Sequence, residues 1–148
     1  MPTGMATGSS NNIYVGDYLS GRTQVFNRTD GSYRITLVGP PAGAGSISNP
    51  YGIAYTPGFF EVSRLCITDF TGHRVHMNTP TQGRSMWGGF GGGNGQFRNP
   101  CGIACARDGI TVYVVDRGNH RIQQFSDTGI TYVCDYGNNA VKIYVRAQ

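Results

Sequence analysis

Three aspartate–arginine pairs are the feature of the sequence closest to a chemical motif. In each pair the arginine stands five residues after the aspartate. The pairs are Asp17 and Arg22, Asp69 and Arg74, and Asp116 and Arg121. A carboxylate beside a guanidinium can serve in catalysis, but a catalytic centre needs one asymmetric arrangement rather than three copies. We therefore expect structural pairs, in which each aspartate accepts N–H groups of the turn that follows it or pairs with its own arginine.

A fourth aspartate, Asp135, ends a similar run (YVCD), but Ala140 stands where its arginine would be. The histidines add no clear site: His73 and His120 share one position of the pattern, and His76 is the only unrepeated histidine. The four cysteines fit neither a zinc-knuckle nor a CxxC spacing, and no GxSxG or HExxH motif occurs. We expect no catalytic residue, no metal and no cofactor, and we interpret the cysteines as small buried side chains in a reducing compartment.

The elements that position these residues form a repeat. Pro-x-Gly-apolar-Ala occurs at Pro2–Ala6, Pro50–Ala54 and Pro100–Ala104, and each copy precedes a short run that ends in one of the three aspartates. Several short strands in a period of roughly 50 residues are typical of propeller blades. The sequence therefore predicts one all-β domain over residues 1–148. Its units span about 2–49, 50–99 and 100–129, with a partial unit at 130–148.

The residues of the third unit permit a comparison with a known family. PxGIA, then YVxD, then NHRIQxF resembles the NHL repeat, and GNGQFRNPCGIA…YVVDRGNHRIQQF is the strongest match. The resemblance covers nearly the whole chain, strongly in the third unit and loosely in the other two. It implies a β-propeller, commonly of six blades, with four antiparallel strands in each blade. It also implies a binding platform for proteins or RNA more often than an enzyme.

The end of the chain departs from the period, because Asp135 follows Asp116 by only 19 residues. Either a fourth strand and the next first strand are missing, or Ile130–Asp135 serves as the outer strand of the third blade. Three blades and a partial fourth cannot close a ring, since propellers have about four to eight blades. We expect self-association that closes the ring, unless the chain is a fragment of a larger protein.

Two sets of residues are predicted to share one rim, because the loops that carry them leave the same end of each blade. One set follows the repeat aspartates directly: Tyr18, Phe70, Arg117 and Tyr136. The other set flanks the repeat prolines: Asn49, Tyr51, Arg98 and Asn99. Aromatic residues, arginine and asparagine are typical of interface hot spots and of stacking platforms for single-stranded nucleic acid. We predict a non-catalytic scaffold that binds a protein partner here, with single-stranded RNA as a variant of the same class.

Composition and local sequence bear on nucleic-acid binding, on membrane association and on phosphate binding. The net charge is +4 with eleven arginines and a single lysine, which is modest for a nucleic-acid binder. No apolar run is long enough for a membrane span, and no signal peptide is visible, which favours a cytoplasmic location. The glycine-rich stretch 88–95 leads into a strand instead of a helix, so it is interpreted as a connection between blades rather than a phosphate loop.

Two further functions stay open at this stage. The first is a six-bladed propeller lyase or lactone hydrolase with a metal in its central channel. Such an enzyme needs acidic, amide or imidazole side chains on the innermost strands, and Gly52–Tyr55 and Gly102–Ala106 offer almost none. The second is an architectural subunit of a larger assembly.

Overall fold

The computed structural model describes residues 1–38, 46–57, 63–79 and 83–126, together with the strands at 130–135 and 140–145. These residues form thirteen β-strands and a single 3₁₀ turn at Arg117–Asn119. The strands are β1 Pro2–Thr7, β2 Asn12–Asp17, β3 Arg22–Asn27, β4 Tyr33–Val38, β5 Pro50–Thr56, β6 Arg64–Asp69, β7 Arg74–Thr79, β8 Gly83–Gly88, β9 Pro100–Cys105, β10 Val112–Asp116, β11 Arg121–Phe125, β12 Ile130–Asp135 and β13 Ala140–Val145.

The strands make three antiparallel sheets, each a meander of consecutive strands. We call them blade 1 (β1 to β4), blade 2 (β5 to β8) and blade 3 (β9 to β13). Short turns join the strands because local side chains hold them: Asp30 accepts the N–H of Ser32 at 2.8 Å, and Asp108 accepts the N–H groups of Ile110 and Thr111 at 2.9 and 2.8 Å. The predicted all-β fold with four-stranded antiparallel blades is confirmed.

Blade 3 contains a fifth strand. β12 pairs with β11 along Ile122↔Cys134 and its neighbours, and β13 pairs with β12 on the other side. Of the two interpretations that the sequence left open, the structure shows the second: Ile130–Asp135 is the fourth strand of blade 3. The described part of the predicted partial unit 130–148 therefore extends the third sheet instead of starting a fourth.

The innermost strands of successive blades lie side by side, and glycine makes this approach feasible. A Cβ placed on Gly4 would lie 2.3 Å from the carbonyl oxygen of Tyr51, and one placed on Gly52 would lie 2.2 Å from that of Cys101. Both distances are shorter than any real carbon–oxygen contact, so only a residue without a side chain fits. The Thr68 hydroxyl crosses the second junction and donates to the Cys101 carbonyl at 2.9 Å.

Two hydrophobic clusters fill the spaces between the blades. Between blades 1 and 2, the buried side chains of Ile53, Leu65 and Ile67 pack against Tyr14 and Leu37. Between blades 2 and 3, a larger cluster is centred on buried residues that include Phe97, which is fully inaccessible to solvent. The core is therefore a series of interfaces between sheets rather than one central mass.

Two of the three described cysteines, Cys66 and Cys105, lie in or beside this second cluster, and Cys101 is partly buried on β9. Cys66 is buried and Cys105 is partly buried against it, and both are free thiols. A hydrogen bond with the Cys105 thiol and burial together raise the pKa of Cys66. The side chain of Cys134 is outside the described residues.

No helix in the described part of the chain is long and apolar enough to cross a membrane.

Candidate functional site

The end of the blades where β2, β6 and β10 finish carries the residues singled out from the sequence. We call it the Asp face, after Asp17, Asp69 and Asp116 at the last position of those strands. Each of these aspartates lies opposite the first residue of its innermost strand, for example Asp69 opposite Pro50. The turn after each aspartate and the loop before each proline therefore meet at this end.

Asp116 is the centre of a buried polar network. Its carboxylate is inaccessible to solvent and accepts the N–H of Arg98 at 2.7 Å, the Nε–H of Arg121 at 2.8 Å and the side-chain amides of Asn119 and Gln123 at 2.8 and 3.0 Å. A charge buried this deeply is stable only when its hydrogen-bonding capacity is filled. Asp116 is thus a structural anchor that holds the start of blade 3.

Asp69 holds the start of blade 2 in the same way, with different partners. It accepts the N–H groups of Ser48 and Asn49 at 3.0 Å each and that of Gly72 at 3.1 Å. Burial disfavours its ionised form, but the imidazole of His76, whose Nε2 atom lies 3.5 Å from the carboxylate, and the hydrogen bonds from these three N–H groups outweigh that effect and lower the pKa of Asp69. The carboxylate therefore stays ionised although no solvent reaches it.

The expected pairing with arginine holds at two of the three positions. Arg22 donates to Asp17 at 3.3 Å and Arg121 donates to Asp116, whereas the Nε–H of Arg74 donates to the carbonyl of Gly72 at 2.9 Å. Asp69 follows the other expected arrangement, because it accepts the N–H of Gly72 in the turn that follows it. Sequence reasoning missed that further N–H groups come from the loops that precede blades 2 and 3.

Four predicted rim residues meet in one cluster, which we call the aromatic cluster: Tyr18, Tyr51, Phe70 and Arg117. The rings of Tyr51 and Phe70 stack with centroids 5.4 Å apart and an interplanar angle of 27°. Tyr18 meets both rings edge-on, at 6.1 and 6.0 Å. The guanidinium of Arg117 lies over Phe70, 5.9 Å from the ring centroid, which is a cation–π geometry. One side chain from blade 3 thus joins three from the first two blades.

Two asparagines fix the backbone beneath this cluster. The side-chain amide of Asn49 donates to the carbonyl of Tyr18 at 2.8 Å, and that of Asn99 donates to the carbonyl of Phe70 at 3.2 Å. Each asparagine directly precedes a repeat proline and reaches back to the preceding blade. The predicted residues Asn49 and Asn99 are therefore supports of the rim rather than its outer surface.

A second cation–aromatic contact lies beside the first. The guanidinium of Arg98 is 5.1 Å from the ring centroid of Phe90, and His73 packs against the same ring at 5.0 Å. The Nδ1 atom of His73 accepts the N–H of Asn99 at 3.1 Å. Phe90 is 63% exposed, and sequence reasoning did not single it out because it lies in a glycine-rich connection with no repeated position.

The charges on the Asp face are unequally exposed. Asp69 and Asp116 are completely buried, whereas Arg98 and Arg117 are exposed. Among the described side chains of this face, the outer layer is therefore aromatic and cationic while most of the negative charge lies beneath it. Tyr136 lies outside the described residues, and so does the side chain of Asp135.

The described residues contain no group of three or more histidine, cysteine, aspartate or glutamate side chains that could hold a metal ion. The innermost strands β1, β5 and β9 contain no histidine, aspartate or glutamate. The arrangement that the structure does assemble is a surface of ordered rings and guanidinium groups. Such a surface can stack, form cation–π contacts and attract carboxylates or phosphates.

No family model and no curated protein matches this sequence. Solved structures do match in shape. Virginiamycin B lyase from Staphylococcus aureus superposes with a TM-score of 0.60 over 99% of this chain and 56% of its own, at 14% identity. A structure of a nidogen/laminin complex matches with a TM-score of 0.61 over 96% of this chain and 47% of that chain, at 16% identity.

A putative 6-phosphogluconolactonase from Bacteroides uniformis matches with a TM-score of 0.53 over 97% of this chain and 42% of its own, at 18% identity. The chain thus spans about half the length of the structures that it resembles. At such low identity these similarities show the fold alone, and the neighbours differ in what their names say they do. The chain is a segment of β-propeller, with three blades described.

Proposed function

We propose that this chain is a non-catalytic recognition scaffold that binds a protein partner on its Asp face. The observation that carries the proposal is the aromatic cluster, in which the ring of Phe70 contacts both the ring of Tyr51 and the guanidinium of Arg117. Tyrosine and arginine are enriched among the residues that dominate binding energy at protein interfaces. Three blades contribute to one patch, which suits a contact surface wider than a single loop.

Preorganisation strengthens this argument. The backbone under the cluster is held by Asn49 and Asn99, and the turn of Arg117 is tied to the preceding loop by a 2.7 Å hydrogen bond from the N–H of Gly118 to the carbonyl of Arg98. Side chains that are already ordered lose less entropy on binding, so more of the contact energy appears as affinity. A purely structural rim would not need exposed arginines stacked on rings.

The test is a selection for peptides followed by measurement of their affinity. A phage-displayed random peptide library is panned on the immobilised full chain, and the enriched peptides are measured by fluorescence anisotropy. We expect enriched peptides whose affinity falls by about 10-fold or more, or roughly 1.4 kcal/mol, in the Arg117→Ala and Phe70→Ala variants. Phe70→Leu keeps an apolar side chain but removes the ring, so it separates stacking from simple burial.

A matched control lies at the opposite end of blade 1, where Tyr33 is 56% exposed on β4. Tyr33→Ala removes an exposed ring of similar size and should leave peptide affinity unchanged. A 12-nucleotide oligouridylate is measured in parallel. If only the oligonucleotide binds, and binding requires the same cluster, the protein-partner proposal is replaced by the RNA-binding one. If nothing binds the wild type, or if Tyr33→Ala lowers affinity as much as Phe70→Ala, the proposal fails.

A second candidate is a lyase or lactone hydrolase, which is favoured by similarity to the lyase and lactonase structures. This function needs a metal in the central channel, which the described side chains do not gather. Elemental analysis of the purified protein and assays with virginiamycin B and 6-phosphogluconolactone test it. Stoichiometric calcium, magnesium or zinc together with turnover would overturn the non-catalytic proposal. An architectural role would instead give neither peptide binding nor turnover.

A further inference from the structure

The outer side of blade 3, facing away from blade 2, exposes side chains whose counterparts at the same repeat positions of blade 2 are buried. Six residues past the repeat aspartate, Val75 is 0% exposed in blade 2, whereas Ile122 is 42% exposed in blade 3. Three residues before the aspartate, Cys66 is 0% exposed and Tyr113 is 40% exposed. What differs between these positions is the presence of a following blade.

At the repeat position just before the aspartate, blades 1 and 2 are each in contact with the blade that follows them. In blade 1, a Cβ on Gly16 would lie 3.4 Å from the Cδ1 of Ile53 in blade 2. In blade 2, Thr68 is fully buried and donates to the Cys101 carbonyl of blade 3. In blade 3 the residue at this position is Val115, and it is 38% exposed. Val115 therefore stands where an apolar side chain of another blade would meet it.

In the part of the chain that the structure describes, the innermost strand of blade 3 also lacks the neighbouring strand that packs on its counterparts in blades 1 and 2. Gly4 and Gly52 each approach a carbonyl of the next blade so closely that no Cβ would fit. The equivalent residue of blade 3 is Gly102, and the atoms nearest to a Cβ placed there belong to Val115 of its own blade. Blade 3 thus keeps the glycine that allows close approach of a neighbouring backbone, with no such backbone in the described residues.

Blade 1 presents the complementary surface at the other end. Three residues past each repeat proline stand Met5, Ile53 and Ile103. Ile53 is 7% exposed because it packs under blade 1, but Met5 is 68% exposed. The described blades therefore present two different apolar faces, one on blade 1 and one on blade 3. The face on blade 3 corresponds to the surface of blades 1 and 2 that contacts the next blade. The face on blade 1 corresponds to the surface of blades 2 and 3 that contacts the preceding blade.

We propose that these two faces join in a second copy of this chain, with blade 3 of each copy packed against blade 1 of the other. The contact repeats the interface already present between blades 1 and 2, so Val115 meets Met5 of the second copy as the Gly16 position meets Ile53. Two such contacts related by a two-fold axis close a ring of six blades, which lies within the usual range for propellers. This inference does not depend on the proposed function.

The first experiment is the mass of the full chain in solution, by light scattering on a sizing column across a range of concentrations. We expect a discrete particle of twice the 16.0 kDa chain mass. Val115→Asp places a charge in the contact and should raise the dimer dissociation constant at least about 10-fold. Met5→Arg should do the same from the other face. Both positions are exposed within one chain, so circular dichroism should show folding unchanged.

Mixing the two variants gives the sharper test. In a mixed ring, one contact pairs the aspartate introduced by Val115→Asp in one copy with the arginine introduced by Met5→Arg in the other, and the second contact is unaltered. We expect the mixture to recover the dimer that neither variant forms alone, with a loss of recovery at high salt. The control is Met86→Asp, since Met86 is 44% exposed but belongs to the middle blade. It should leave the dimer intact.

Three results would overturn the inference. A monomer at all concentrations would mean that these faces do not bind each other, and that another polypeptide segment covers them. A polydisperse series of growing masses would mean that the contact forms without closing. A dimer that survives both face variants, or that is lost in Met86→Asp, would place the interface elsewhere on the molecule.

Discussion

The Nε2 atom of His76 lies 3.5 Å from the Oδ2 atom of Asp69, and both side chains are buried. His76 stands seven residues past its aspartate, the position that Gln123 holds in blade 3, where the amide donates to Asp116 at 3.0 Å. The histidine that looked unrepeated therefore occupies a repeat position whose side chain lies beside the buried carboxylate in blades 2 and 3. Gln24 holds the same position in blade 1.

This relationship predicts opposite outcomes for two substitutions at one site. His76→Gln supplies the amide used by blade 3 and should keep the free energy of unfolding within about 1 kcal/mol of the wild type. His76→Leu removes the donor next to a buried charge and should cost about 1–3 kcal/mol. Urea unfolding at a fixed protein concentration measures both. Equal losses for the two variants would contradict a donor role.

The lowered pKa of Asp69 predicts a dependence of stability on pH. The folded state holds this carboxylate ionised more strongly than the unfolded state, whose pKa is near the ordinary 3.8. Its contribution is therefore complete above that value and is lost as pH falls below it toward the lower folded pKa. Asp69→Asn should lower stability at pH 7 by about 1–3 kcal/mol and should reduce the decline in stability below about pH 4. Parallel curves for the two proteins in that range would refute the assignment.

Two arginines at the same repeat position should respond differently to lysine. Arg121 donates to Asp116 and also to the carbonyls of Gly92, Gly93 and Gln96, at 2.9, 2.6 and 3.0 Å. Lysine cannot reproduce this fork, so Arg121→Lys should cost about 1–3 kcal/mol in thermal or urea unfolding.

Arg74 is the matched control. It donates to the carbonyl of Gly72 and contacts the sulfur of Met86 at 3.6 Å, and among the described contacts it makes no ion pair with Asp69. Arg74→Lys should change stability by less than about 0.5 kcal/mol. If both substitutions cost the same, the repeat position rather than the bonds around Arg121 determines the loss.

The close approach of the innermost strands predicts that Gly52→Ala is poorly tolerated. The added methyl group would lie 2.2 Å from the Cys101 carbonyl, so blades 2 and 3 must separate, and we expect a loss of about 1–3 kcal/mol or more. Gly92→Ala is the control, because its nearest neighbour is 4.0 Å away. Thermal unfolding followed by near-ultraviolet circular dichroism reports both the stability and the packing of the aromatic residues.

The repeat in the sequence was sufficient to predict the blades. Positions marked by Pro-x-Gly and by Asp indicate where strands begin and end: β5 begins at Pro50 and β6 ends at Asp69. The aromatic cluster could also be anticipated, because equivalent turns of a repeat must leave the same end of the molecule. That rule places Tyr18, Tyr51, Phe70 and Arg117 on one rim, but it does not determine which of their side chains touch.

The partners of each aspartate could not be predicted in the same way. A repeat position determines where the backbone lies, but the side chain found there decides which bond forms. Arg74 donates to the carbonyl of Gly72, whereas Asp69 lies beside His76 and accepts the N–H groups of Ser48 and Asn49. The fifth strand of blade 3 could not be predicted from the repeat either, because Asp135 matches the repeat pattern but Ala140 stands where the pattern has arginine.

The buried carboxylates have a consequence for how such a chain can change over generations. Asp69 and Asp116 each fasten the loop at the start of their own blade, and each of the two asparagine amides reaches back by one blade only. Each of these hydrogen bonds thus lies within one repeat unit or joins two neighbouring units. Duplication or deletion of one whole repeat unit in the gene would leave the hydrogen bonds of the other units intact. A single recombination event could therefore change the number of blades.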